Sequence, residues 1–324
     1  MKDKISELIN QEVQRYSNES YDYLNEVKIL VFTSLIAKLT YDSFKRKFDD
    51  LNKKYEKITN KNSSKGFKKV KKITNEKNEE TSSEDEIKFS KKEKEDLVFD
   101  LDKSSQVKAR DKFIKETLYF YKQTYKVVKK DYVNVETYLA EKIKTYTKIE
   151  KVVPYFSKNG KIRAYFDVAS YNAMVYNTNL VSSAWNETID YCYNRNIDIV
   201  YVEPHPYSCP LCQKWQGKFY SLTGKTKGYH NIKEAYRGGL KHPNCKHNIT
   251  TDVGQKETSD YSSGAWEDRY EARQKKQALE LKKKRLIADK KIYEELGDFG
   301  TVDKINGQIK NINQSIREQK KLMG

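Results

Sequence analysis

All four histidines and three of the four cysteines of this 324-residue chain lie between His205 and His247. The first cluster reads His205-Pro206-Tyr207-Ser208-Cys209-Pro210-Leu211-Cys212. The second reads Gly239-Leu240-Lys241-His242-Pro243-Asn244-Cys245-Lys246-His247. Soft nitrogen and sulfur donors are scarce elsewhere, so their crowding constrains the fold: the two loops must meet. Two residues between Cys209 and Cys212 let both thiolates face one ion, and Cys245 with either His242 or His247 closes a tetrahedral set. Three thiolates and one imidazole leave no position for water, so the donors predict a structural zinc. His205 stands as a substitute ligand or as a support for one. A redox Cys-x-x-Cys pair fits less well, because it would not need the second cluster.

The residues between the clusters read as supports. We expect Trp215 in the core or as a lid over the site. Gly217 supplies a turn with positive φ, and Gly238-Gly239 end a helical turn at 232–237.

Five stretches organise the chain. Residues 1–59 are helical: Ile5, Leu8, Ile9, Val13 and Tyr16 recur at helical spacing, as do Phe44, Phe48, Leu51 and Tyr55. Val27 to Leu39 is the most continuously apolar run of this part. Residues 60–94 carry charge blocks without periodicity, from Lys65-Gly66-Phe67-Lys68-Lys69 to the acidic run ending at Glu86, and predict a flexible linker. Residues 95–150 return to helix, with Ile114, Leu118, Tyr121, Tyr125 and Val128 on one stripe. Residues 151–253 hold the sharp signals. Pro154 breaks the preceding helix, 171–196 is helical, and Ile197 to Val202 is a β-branched strand ending at Pro204. Short strands are expected near Phe219-Tyr220 and at Asn248 to Thr251. Residues 254–324 form a polar helical tail, a hairpin or an arm, broken at Gly297 to Gly300. The fold class is α+β: a mostly helical N-terminal half and C-terminal tail around a small mixed α/β core with a structural zinc site.

Charge bounds the partners. A net charge of +17 favours polyanions, nucleic acid first. Non-specific double-stranded DNA is the expected ligand, through basic clusters at Lys65 to Lys72 and Lys282 to Arg285. Lys-, Asn- and Tyr-rich composition also accounts for part of the excess as solvated helix surface. No stretch approaches the ~20 apolar residues of a membrane span, and the charged N-terminal region does not read as a signal peptide.

The motif Pro204-His205-Pro-Tyr-Ser-Cys-Pro-Leu-Cys212, then Trp215-Gln-Gly-Lys218, then Gly239-Leu-Lys-His-Pro-Asn-Cys-Lys-His247 with Thr250-Thr251 resembles tailed-phage minor capsid proteins. These form the head-morphogenesis group typified by phage Mu and its relatives in Gram-positive hosts. Gly160 to Arg163, and Tyr171 with Met174, Asn177 and Thr178, resemble the family's segment ahead of the strand. Where the family's usual text is an Arg-Thr pair, this chain has Asn177-Thr178. The resemblance covers about 150 to 253. It implies a non-enzymatic protein carried in few copies inside the phage head, associated with the portal protein and with capsid or scaffold proteins. It further implies a part in head assembly and in DNA packaging or ejection, with the host cytoplasm as the place of assembly.

The main alternative is a metal-dependent nuclease of the His-Asn-His type. That chemistry needs a histidine base beside a divalent metal held by further His, Asp or Asn ligands. Here His242 and His247 share a loop with Cys245, and no Asp-His pair precedes them. We find no Gly-rich phosphate loop and no Ser-His-Asp order.

Overall fold

A computed structural model describes residues 4–81, 87, 90–102, 104–130, 134–156, 159–205, 207–251, 254–255, 257 and 264–323. The chain opens with two long antiparallel helices, α1 (Lys4–Ile36) and α2 (Tyr41–Thr81). They are zipped by stacked Tyr23 and Tyr55 rings, by Asn62 donating to Glu19, and by Lys69 donating to Glu12. The short α3 (Lys91–Glu95) follows, with Ser90 and Glu93 forming a capping box. Helices α4 (Ser105–Val128) and α5 (Val135–Glu150) come next. A hairpin of β1 (Val153–Phe156) and β2 (Ile162–Phe166) leads into α6 (Val168–Arg195).

A four-stranded sheet with order β5-β4-β3-β6 completes the centre. It is built from β3 (Ile199–Val202), β4 (Lys218–Ser221), β5 (His230–Asn231) and β6 (Ile249–Thr250). Strand β3 pairs antiparallel with both β4 and β6, and β4 pairs parallel with β5. One-turn α7 (Pro210–Gln213) lies between β3 and β4, and α8 (Ile232–Arg237) follows β5. The tail is a helical hairpin of α9 (Gly264–Glu295) and α10 (Phe299–Met323), turned at Gly297.

Two hydrophobic cores result. One joins the N-terminal half of α1 (Ile5, Ile9, Tyr16) to Val70 of α2, the length of α6 from Tyr176 to Cys192, and the sheet. The other joins the C-terminal half of α1 (Tyr21 to Leu35) to Phe44 and Phe48 of α2, to α4 and α5, and to the turn of the tail hairpin. Helix α6 is buried on most of its circumference, which explains its weak amphipathic signal.

Several expectations need correction. The segment 60–94 is not a linker throughout: α2 runs unbroken to Thr81. Val70, Thr74 and Asn78, four residues apart, are buried, and Asn78 donates to Thr188 of α6 at 3.3 Å. Two of those three positions are polar, so no apolar period announces the contact. Residues 82–86, with the acidic run Glu84-Asp85-Glu86, lie outside the described residues. The buried stripe of α4 runs through Ala109, Phe113, Thr117, Tyr121, Thr124 and Val128. It shares Tyr121 and Val128 with the expected stripe, while Ile114 and Leu118 are only partly buried. The β1–β2 hairpin was not anticipated: Pro154 ends no helix itself but sits inside a strand, where it pairs with Tyr165.

The basic cluster 282–285 is also partly committed inside the fold. Arg285 reaches Asp167 at 3.0 Å and Glu150 at 3.7 Å, and Lys284 reaches Asp22 at 3.3 Å. Burial pushes the Glu150 carboxyl up. Asp167 also caps α6 by accepting from the Ser170 amide at 2.7 Å, and accepts from the Tyr21 hydroxyl at 3.0 Å. One carboxylate thereby ties α1, α6 and α9 together. Replacing Asp167 with Ala removes the cap and strands a partly buried guanidinium, and should destabilise the chain by about 2–4 kcal/mol. Asp167→Asn, which still caps, should cost less; urea unfolding of both variants checks the order.

Candidate metal centre

Strand β3 brings the two donor loops together. Its C-terminal end feeds the loop bearing Cys209 and Cys212, while the antiparallel β6 begins beside it, just after the loop bearing Cys245. The Gly217 amide closes the first loop onto Val202 O at 2.7 Å, and the Glu203 amide closes the second onto Asn248 O at 3.0 Å. Gly217 has φ of 70°, as the turn requires.

Cys209 is the N-cap of α7 and Pro210 its first residue, so one helical turn sets the spacing of Cys209 and Cys212. Cys209 Sγ lies 3.0 Å from His242 Nε2. Cys212 Sγ lies 3.6 Å from Cys245 Sγ, and Cys245 Sγ lies 3.5 Å from His247 Nδ1. The donor atoms of Cys209, Cys212 and His242 all stand within 4.8 Å of one another, as do those of Cys212, Cys245 and His247. Cys212 belongs to both groups. All five residues singled out from the sequence therefore converge. His205 does not join them; its ring centroid is 6.0 Å from that of His247. The fourth histidine, His230, is exposed on β5 and pairs with Glu234 at 3.2 Å.

The sulfur atoms stand close enough to shift one another's acidity. A hydrogen bond from Cys212 is the main reason Cys209 is lowered to about 4, with His242 adding to it. Hydrogen bonding to Cys209 and Cys245 pushes Cys212 up, and the same bond from Cys212 pushes Cys245 down. The Cys209 thiolate raises His242 to about 9. A cluster in which two of three thiols are made more acidic is one where a divalent cation can displace the remaining protons.

The imidazoles are fixed by what their other nitrogens touch. His242 Nδ1 sits 2.7 Å from Pro243 O, which can only accept, so Nδ1 carries a proton and Nε2 is the nitrogen that faces Cys209, where a metal ion would displace the Nε2 proton. His247 Nε2 sits 2.7 Å from Gln216 Oε1. The orientation of Gln216 is set independently, because the same Oε1 accepts from the His205 backbone amide at 2.9 Å. His247 therefore carries its proton on Nε2 and turns a bare Nδ1 toward Cys245.

Helix α6 holds the second loop from below. Asn177 Nδ2 donates to Cys245 O at 2.9 Å, Trp185 Nε1 donates to His247 O at 2.9 Å, and the Asn244 amide donates to Thr178 Oγ1 at 3.0 Å. Sequence reading placed Asn177, Thr178 and Gln216 in motifs, without a role for Gln216 of its own, and missed Trp185 as a support. A tryptophan two turns further along the helix carries no spacing signal. Trp215 does pack beside the site, donating to Gly238 O at 3.0 Å. Gly238 is needed for close approach rather than for positive φ: a Cβ there would sit 1.9 Å from the Trp215 ring.

Gln216 thus braces both His205 and His247. Gln216→Ala should leave the buried His205 amide unpaired and His247 Nε2 with Ser208 Oγ alone, at a cost of about 1–3 kcal/mol. Two-bond proton–nitrogen spectra should show His247 as the Nε2-protonated form, and the substitution should disturb that assignment.

The comparisons agree with the motif. The chain matches the model for phage minor capsid protein 2 over residues 33–321, from the last turn of α1 to the end of α10, with every candidate ligand inside the span. No curated protein and no solved structure matches it. The chain belongs to the phage minor capsid protein 2 family, structural proteins of the virion.

Proposed function

We propose that the chain works as a zinc-braced, non-catalytic part of the phage head interior near the portal, in head assembly and in DNA packaging or ejection. The family assignment supports a structural role among other head proteins. No helix among the described residues is long and apolar enough to cross a membrane. The portal protein and the capsid or scaffold proteins are the partners this reading names, met in the host cytoplasm during assembly.

The single observation behind the zinc is the convergence of Cys209, Cys212, Cys245 and two histidines from loops some thirty residues apart. Ligands at about 2.0–2.3 Å around a tetrahedral zinc stand about 3.5–3.8 Å from one another. The Cys212–Cys245 separation, 3.6 Å, matches that spacing, as does Cys245–His247 at 3.5 Å, whereas Cys209 and His242, 3.0 Å apart, stand closer than two zinc ligands would. Three thiolates come from the cysteines. His242 supplies the nitrogen, because it is the histidine that contacts Cys209, the thiolate outside the Cys245 group. His247 then braces Cys245 from the buried side. Zinc here supplies cross-linking of the two loops.

Elemental analysis of the full chain prepared without chelator should give one zinc per chain. Cys212→Ala should abolish it and lower the melting temperature, since the binding energy of a structural metal is folding energy. His242→Ala should reduce zinc content more than His247→Ala; the reverse order would reassign the fourth ligand.

DNA contact is the second part of the reading. Lys69, Lys71 and Lys72 pair with Glu12, Glu187 and Glu76, which leaves Lys65 and Lys68 of the first cluster and Lys282 and Lys283 of the second. We expect weak, sequence-independent binding of double-stranded DNA that falls steeply with salt. Lys282→Ala with Lys283→Ala should flatten the salt slope without altering zinc content. A salt-insensitive affinity would refute the electrostatic account. For the head itself, particles made without this chain should assemble or deliver DNA poorly, and protein quantification of purified virions should find it in few copies.

A further inference from the structure

A second cluster, unused by the zinc reading, lies where the Cys245–His247 turn meets α1 and α9. Lys246 Nζ donates to Asn10 Oδ1 at 2.9 Å, and Arg273 Nη2 reaches the same oxygen at 3.4 Å. The Arg273 guanidinium stacks over Tyr207, 5.2 Å from its ring centroid. Both cations are partly buried. Neither pairs with a carboxylate among the described residues, and the charge beside Lys246 is another cation, Arg273. Lys241, by contrast, holds its ammonium over the Phe99 and Trp185 rings, 3.1 and 4.5 Å from their centroids.

The cluster also has a surplus of donors. Lys246 can only donate, which fixes Asn10 with Oδ1 toward the ammonium and Nδ2 toward His205, 3.3 Å from His205 Nε2. His205 Nδ1 already accepts from the Tyr207 amide at 3.1 Å, so a neutral ring carries its proton on Nε2. That N–H faces the Asn10 amide N–H, donor against donor. The ammonium and the guanidinium therefore share one acceptor oxygen, Asn10 Oδ1, while the Asn10 Nδ2 faces His205. Partly buried polar groups are normally paired, and partly buried charges normally countered.

We propose that Lys246, Arg273 and Asn10 form a binding site for a phosphate-class oxyanion. The planar guanidinium offers a two-pronged donor and the ammonium a point charge, a combination suited to phosphate oxygens. Free inorganic phosphate and the phosphodiester of DNA present the same chemistry. The site does not depend on the capsid role, and it stands apart from the exposed lysines on which the DNA reading rests.

The test uses the full chain as purified, with zinc content measured alongside. Titration with inorganic phosphate, followed by calorimetry at low salt, should give saturable binding to one site. Lys246→Met and Arg273→Gln should each weaken it by about tenfold, the loss of one charge-assisted contact, at unchanged zinc content. Arg273→Lys, which keeps the charge and loses the fork, should fall between and serves where Arg273→Gln fails to fold. In a second arm, a short double-stranded oligonucleotide replaces phosphate. Weaker oligonucleotide binding by Arg273→Gln, together with competition by phosphate, identifies the phosphodiester as the source. Unchanged oligonucleotide binding identifies free phosphate. Absence of saturable phosphate binding to the unmodified chain overturns the proposal. So does loss of zinc from Lys246→Met with an unaltered phosphate response, which would make these cations counter-charges of the metal centre.

Discussion

The donor loop between Gly239 and His247 has almost no ladder hydrogen bonds of its own, so its backbone must be satisfied by something else. Helix α6 does this. Asn177, Thr178 and Trp185 bond the backbone of Asn244, Cys245 and His247 along two turns of one helix. The pairing of β3 with β6 fixes the far end of the same loop. Without that template the second donor cluster would have no defined place relative to the first. The burial of α6 on most sides is therefore more than packing: it holds the helix rigid enough to position a loop.

What the sequence disclosed follows the same logic. Residue types with few structural uses, the cysteines and histidines, were legible because their crowding has little other explanation. The β-branched run at 199–202 and the glycine at 217 were legible because local sterics decide them. The second half of α2 was hidden. Its buried face is Val70, Thr74 and Asn78, and the charged residues around them look like solvent-facing text. Gly66 inside that helix lies where a Cβ would come within 2.3 Å of the Tyr176 hydroxyl. It is a contact point between α2 and α6. The stripe of α4 was misplaced because threonines at 117 and 124 occupy buried positions that an apolar count passes over.

Charge shows a similar gap between composition and structure. A net +17 treats every lysine and arginine alike. In the fold, Lys28 is buried against Asp289, Lys77 is paired with Glu203, and Arg285 is set between two carboxylates. These cations organise the interior and the seating of the tail on α1. The charge available to a partner is what remains on the exposed faces.

Helices α1 and α2 each pass through both cores: Ile5 and Tyr16 serve one, Val27 and Leu35 the other, and Val70 and Phe48 divide likewise. A 33-residue helix is about 50 Å long. The two cores are consequently splinted together by two helices that run through both. A load taken up at the tail hairpin, through Asp289 on Lys28, enters a stiff spar whose other end lies beside the cysteine loops, where Ser6 bonds Lys246 O at 3.3 Å.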